Sequence, residues 1–197
     1  MVVKKKLVLA SISPRRKYLL RQLGLSFEVM ESRVSECFDS TKSPAQNVKD
    51  IALQKAQAVA PSLDSAIVIG ADTTVALDDR NLGKPEDARE AIKMLMDLSG
   101  RTHEVYTGFA LVDRPSDKWI CEYERTSVTF RKLTRDEIEE YVRSGSPMDK
   151  AGAYGIQDDY GAVFVEKVDG CFYNVVGFPL ARFYVAMREF QNELGLL

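Results

Sequence analysis

At 197 residues, 45% hydrophobic and 28% charged, the chain is long enough to bury a sizeable core in one α/β domain or two closely fused lobes, and nothing in its composition suggests disorder. A formal net charge of -2 excludes a nucleic-acid binder that works through a broad basic face, while leaving room for local phosphate pockets. Cys37, Cys121 and Cys171 are scattered without CxxC spacing, so neither a disulfide framework nor a zinc site is expected, and a reducing, cytoplasmic compartment is. The basic start is followed by only four apolar residues, and no run approaches the ~18 apolar residues of a membrane span, so no membrane partner is expected.

The run Leu7-Val8-Leu9-Ala10 predicts a strand, and Ser11-Ile12-Ser13-Pro14-Arg15-Arg16 behind it opens a helix from Pro14 to about Leu23, closed by Gly24. Ser13 suits the N-cap and Pro14 the first helical position. The unpaired N–H groups and positive dipole end of such a helix attract anions, and Arg15 and Arg16 can each grip a phosphoryl group with paired donors. An ordinary capped surface helix carries the same local pattern. Residues 27–30 read as a second strand, and residues 31–42, which include Glu36, are polar and irregular.

Ser43-Pro44-Ala45-Gln46 has capping-box spacing and starts a helix that ends before Pro61. Val48, Ile51, Ala52, Ala56 and Val59 form one apolar stripe along it, and Lys55 falls in the middle of that stripe. Its ammonium must either snorkel to solvent or enter a crevice that holds anions. Ala66-Ile67-Val68-Ile69-Gly70 has the continuous apolar character of a strand buried on both faces, which places Asp72 just past the carboxyl end of a central strand. Open α/β sheets bind ligands in that crevice, and a carboxylate there can hold a divalent cation or take a proton from water. It can equally cap a turn.

A turn at residues 78–81 leads to Gly83-Lys84-Pro85 and a helix to about Leu98, ended by Gly100. Residues 104–111 and 119–130 predict an antiparallel pair, and Thr134-Arg135-Asp136-Glu137 caps a helix running to Ser144. Residues 145–159, rich in Gly, Pro and Asp, predict a long functional loop. Within it the Gln157 carboxamide offers a donor beside an acceptor, matching the N3–H and O4 edge of uracil or thymine, although a turn that bonds its own backbone has the same composition. Residues 162–168 and 171–176, joined by Asp169-Gly170, predict a hairpin, and an amphipathic helix follows Pro179. Helices and strands interleave throughout, so the class is α/β with a mixed sheet. The single histidine, His103, cannot anchor a zinc site of usual composition, so any metal would be oxygen-bound magnesium or manganese.

Taken together, SISPRR at residues 11–16, GADT at 70–73, Gly83-Lys84-Pro85 and DKAGAYGIQ at 149–157 resemble the Maf family of nucleoside triphosphate pyrophosphatases, in order and over nearly the whole chain. The last motif resembles the branch acting on dTTP and UTP rather than the one acting on 7-methyl-GTP. The resemblance implies a single Maf-like (ITPase-like) elongated domain over residues 1–197. It has a central mixed sheet flanked by helices and a deep cleft between two lobes, and is often a homodimer. It also implies that Asp72 is the catalytic acceptor carboxylate, that Arg15, Thr73 and Gln157 take part in substrate choice, and that Glu36, Lys55 and Lys84 are polar cleft residues. Ile12 stands where a glycine is common, and Asp158-Asp159 where a small residue is common, which bears on specificity.

The reaction these residues lead us to expect is hydrolysis of the α–β phosphoanhydride of dTTP, UTP or a modified pyrimidine triphosphate to a monophosphate and pyrophosphate. Ser13, Arg15, Arg16, Lys55 and Lys84 would bind and neutralise the phosphates. Asp72 and Glu36 would hold magnesium or manganese, and Asp72 would orient or deprotonate water. Two other readings share these features. One is a nucleotide-binding regulator without turnover; the other is an inosine or xanthosine triphosphate pyrophosphatase, which Gln157 disfavours. The apolar content of the final helix and hairpin permits a homodimer.

Overall fold

The computed structural model describes residues 3–78, 80–157 and 159–196. Seven strands lie in one mixed sheet among them: β1 (Leu7–Leu9), β2 (Glu28–Val29), β3 (Ala66–Leu77), β4 (Arg80–Leu82), β5 (Thr102–Arg114), β6 (Trp119–Phe130) and β7 (Val165–Asp169). The order is β2-β1-β3-β5-β6-β7, with β4 paired to β3. β1 runs parallel to both β2 and β3, whereas the β3–β4 and β6–β7 pairs are antiparallel. The helices are α1 (Pro14–Gln22), α2 (Pro44–Val59), α3 (Ala88–Leu98), α4 (Arg135–Arg143), α5 (Phe172–Val176) and α6 (Leu180–Glu193). This is the expected α/β class with a mixed sheet and flanking helices.

The chain divides into two compact units. The first holds the stretch up to Asp72, Thr107–Glu124 and the stretch from Gly177 onward; the second holds Thr73–Tyr106 and Arg125–Val176. In the first unit, Ser13 caps α1 by accepting the Arg16 N–H, and Ser43 caps α2 by accepting that of Gln46. The α2 stripe is buried against Val8, Val68, Ala110 and Val112. Two glycines let α2 lie this close to the strands. A Cβ on Gly70 would meet the Ala52 carbonyl oxygen at 2.0 Å, and one on Gly108 would meet that of Val48 at 2.4 Å. This close approach fixes where Lys55, one turn along α2, delivers its side chain.

The second unit has its own core, in which Leu95, Leu98, Tyr141 and Phe164 pack with Val75, Leu77 and Phe130. The expected capping box on α4 is complete. Thr134 accepts the Glu137 N–H, and the Glu137 carboxylate takes the Thr134 N–H at 2.8 Å and Arg131 at 2.6 Å, which together hold its pKa down at about 2. His103 is structural. It lies buried between the Phe130 and Tyr154 rings with Nε2 2.7 Å from the Tyr154 hydroxyl, and burial lowers its pKa to about 4.

Three expectations are corrected. β3 does not stop near Gly70 but continues to Leu77, so Asp72 sits within a strand rather than past its end. The reason is burial: Ala71, Thr74, Val75, Ala76 and Leu77 all remain inside, and the polar Asp-Thr-Thr run does not break the strand. Residues 171–176 form no hairpin arm. β7 ends at Asp169, Gly170 turns the chain, and α5 follows. The Thr126 hydroxyl takes the Cys171 N–H, and the Asn174 amide donates to Thr126 Oγ1 and the Val105 carbonyl. Residues 145–159 are not a structureless loop but contain 3-10 turns at Ser146–Asp149 and Ala151–Ala153. Asp79 of the expected turn, together with Asp158 and the Asp159 side chain, lies outside the described residues.

Candidate active site

Asp72 enters the first unit from β3, its side chain 7% exposed, and Lys55 meets it from α2 with 5% exposure. The Lys55 ammonium lies 2.7 Å from Asp72 Oδ1, 3.3 Å from the Ala71 carbonyl oxygen and 2.6 Å from Glu36 Oε1. A lysine has three donors, and here three oxygens face them. The side chain does not snorkel to solvent but grips the two carboxylates of Asp72 and Glu36. Glu36 differs from its partners: it is 44% exposed and sits on an irregular stretch with no helix or strand to hold it.

Arg16 completes the cluster. Its Nε donates to the Gly177 carbonyl at 3.2 Å and its Nη1 to Ser11 Oγ at 3.3 Å. Burial lowers its pKa, and the charges of Asp72 and Glu36 oppose that shift. Arg15, the next residue on α1, is half-buried and close enough for its charge to disfavour that of Arg16. Asp72 is pushed the other way. Burial raises its pKa above the usual carboxylate range, Lys55 and Arg16 pull it back, and the Glu36 charge raises it further. A buried carboxylate so shifted, beside two cations, matches what a water-activating base requires.

The first unit therefore gathers Asp72, Lys55, Glu36 and Arg16, with Arg15 beside them. Ser13 is placed at the same helix start, where its hydroxyl serves as the α1 cap. Thr73, Lys84 and Gln157 belong to the second unit. Thr73 follows Asp72 along β3 and is half-buried, while Lys84 and Gln157 are exposed. There the Gly152 N–H donates to the Gly83 carbonyl at 3.0 Å, which ties the 149–157 motif to Gly83-Lys84-Pro85. Lys150 in that motif is held by Asp149 Oδ1 at 2.8 Å and the Ser146 carbonyl at 2.6 Å. Two participants escaped the sequence reading. Ser11 lies in a motif whose serines look alike, and Gly177 stands 161 residues from Arg16 with no local signal.

The Maf family model, described as "Maf-like protein", matches residues 6–190. The chain belongs to the Maf family. A Bacillus cytotoxicus relative named dTTP/UTP pyrophosphatase is 51% identical over 188 residues, covering 95% of this chain and 97% of its own. A Bacillus cereus relative of the same name is 49% identical over 190 residues, covering 96% of this chain and 92% of its own. Among solved structures, "The structure of the Staphylococcus aureus Ham1 protein" shares 18% identity at a TM-score of 0.41, over 64% of this chain and 72% of that one, a likeness too slight to carry fold or function.

For a Maf protein with this cluster, the donor set suits a hard cation. Among the described residues no group of three or more His, Cys, Asp and Glu is placed to enclose a metal. Asp72 and Glu36 form an open pair instead, and their shared ammonium marks a point where positive charge is favoured. Magnesium is commonly held by one or two carboxylates together with substrate phosphates, which is what such a pair offers.

Proposed function

We propose that this chain hydrolyses the α–β phosphoanhydride of dTTP and UTP, and of modified pyrimidine triphosphates, to a nucleoside monophosphate and pyrophosphate. The role would be to clear such nucleotides from the cellular pool. The observation that carries this reading is the buried Asp72 carboxylate, its pKa raised by burial, held against Lys55 and Arg16 in a chain half identical to proteins named dTTP/UTP pyrophosphatase.

Asp72 orients water toward the α-phosphorus and accepts its proton as the new P–O bond forms. The bridging P–O bond breaks, pyrophosphate leaves with the electron pair, and the proton passes from Asp72 to solvent. Arg15 and Arg16, at the start of α1 where backbone N–H groups and the dipole also favour anions, neutralise phosphate charge. Lys55 keeps Asp72 and Glu36 in place and limits how far burial raises the Asp72 pKa. Asp72 and Glu36 are the residues that would hold magnesium or manganese, which when bound supplies charge stabilisation to the phosphates. Lys84 is assigned to phosphate neutralisation, and Thr73 and Gln157 to base choice.

The same proposal takes the protein to be cytoplasmic and homodimeric, without a nucleic-acid partner. Its three cysteines are free thiols, and Trp119, Tyr123, Tyr184 and Val185 expose apolar surface on β6 and α6. Among the described residues no helix is long and apolar enough to cross a membrane.

The test is a panel of canonical and modified triphosphates with magnesium, manganese or chelator, with pyrophosphate and monophosphate measured separately. Equimolar monophosphate and pyrophosphate from dTTP and UTP, abolished by chelator, is the expected result. Tight binding without product would favour a regulator, and preference for inosine or xanthosine triphosphate would favour a purine enzyme.

A further inference from the structure

Gly177, three residues before α6, has a φ of 121°, which lies where side-chain-bearing residues rarely go. On its C-terminal side Phe178 is buried, its ring packs 4.9 Å from that of Phe183 and 6.0 Å from that of Phe109, and Pro179 leads into α6. Close-packed aromatic cores resist displacement, so the Gly177 carbonyl points in a direction its neighbours cannot relax. It points at Arg16 Nε, 3.2 Å away, while Ser11 Oγ holds Nη1 at 3.3 Å. A guanidinium is planar with its donors in a fixed fork, so anchoring two of its nitrogens fixes the plane of the whole group.

We propose that Gly177 is a positioning residue for Arg16: its carbonyl, aimed by the positive φ, holds the guanidinium in the plane that receives a substrate phosphate beside Asp72. This rests on the pyrophosphatase reading. In this role Gly177 acts through Arg16, by the hydrogen bond from Nε to its carbonyl. A lysine at position 16 would keep the charge but offer no Nε–H to the carbonyl. An alanine at position 177 would force the backbone off its φ and rotate the carbonyl away.

Two measurements test this. The first is a double-mutant cycle on dTTP turnover with Gly177→Ala, Arg16→Lys and the double variant. Loss of one charged hydrogen bond predicts about a tenfold fall in kcat/KM for Gly177→Ala in the wild-type background, and less than about a twofold further fall once Arg16 is lysine. Equal losses in both backgrounds, or none in the wild type, would overturn the proposal. The second needs no variant at position 177 to fold. The Arg16 Nε–H resonance, assigned by its absence from Arg16→Lys, should exchange with water at least about tenfold more slowly than that of the exposed Arg33. Exchange at the Arg33 rate would overturn the proposal too. If the wild type released no pyrophosphate, the pyrophosphatase reading would fail, and the exchange rate would still decide the contact.

Discussion

The Lys55 ammonium bridges two carboxylates of very different burial, Asp72 at 2.7 Å and Glu36 at 2.6 Å. Asp72 and Lys55 are anchored in β3 and α2, whereas Glu36 rides on an irregular stretch. The buried half of the bridge is therefore the rigid half, and the exposed carboxylate is the one able to trade partners.

Removing the ammonium alone leaves a buried carboxylate short of a counter-charge. Lys55→Met should lower the unfolding free energy by about 3 kcal/mol, read from the urea midpoint at unchanged slope. Combining it with Asp72→Asn should cost less than the two single losses added, because the pair acts as a unit. Additive losses would mean that the two side chains are not coupled.

The same substitution should open the carboxylate pair to a cation. In the absence of nucleotide, Lys55→Met should bind manganese at least about tenfold more tightly than the wild type, since a positive charge a few ångströms away no longer repels it. Electron paramagnetic resonance of free manganese reads this directly. Equal affinities would place the metal elsewhere.

Close contact between α2 and β3 sets where Lys55 arrives, so Gly70 governs the site from a distance. Gly70→Ala puts a Cβ 2.0 Å from the Ala52 carbonyl oxygen and must push the helix outward. The expected cost is about 1–3 kcal/mol of stability, with a loss of turnover larger than the fraction unfolded explains. A thermal melt paired with turnover well below the transition separates these effects.

Lys55 was legible in the sequence because a cation in a helical apolar stripe needs a partner, and the structure supplies two. Asp72 was legible as a site residue but misplaced, since Asp-Thr-Thr reads locally as the end of a strand and only burial by the rest of the fold keeps it extended. Phe172-Tyr173-Asn174-Val175-Val176 misled for the opposite reason. Its aromatic and β-branched residues favour a strand, yet bonds from Cys171 and Asn174 to Thr126 hold it as a helical turn. Glu36 and Gly177 carry no periodic or turn signal, because what recruits them is a partner far along the chain.

His103 predicts an acid limb in stability. Its folded pKa, about 4, lies below the ordinary value of 6.5, so the unfolded state binds a proton first as pH falls. Stability is complete above pH 6.5 and is lost as pH drops through about 4. Between those values the wild type should lose about 3 kcal/mol more than His103→Gln, which keeps a polar partner for the Tyr154 hydroxyl but does not titrate. Urea unfolding at pH 7.5 and pH 4 checks this, and equal losses would contradict it.

The most direct test of the site is Asp72→Asn, which keeps the shape of the side chain and removes its ability to accept a proton. With dTTP or UTP and magnesium, pyrophosphate release should fall by about 100-fold or more while the circular dichroism spectrum is unchanged. Near-normal pyrophosphate release from the folded variant would contradict the assignment of Asp72 as the base.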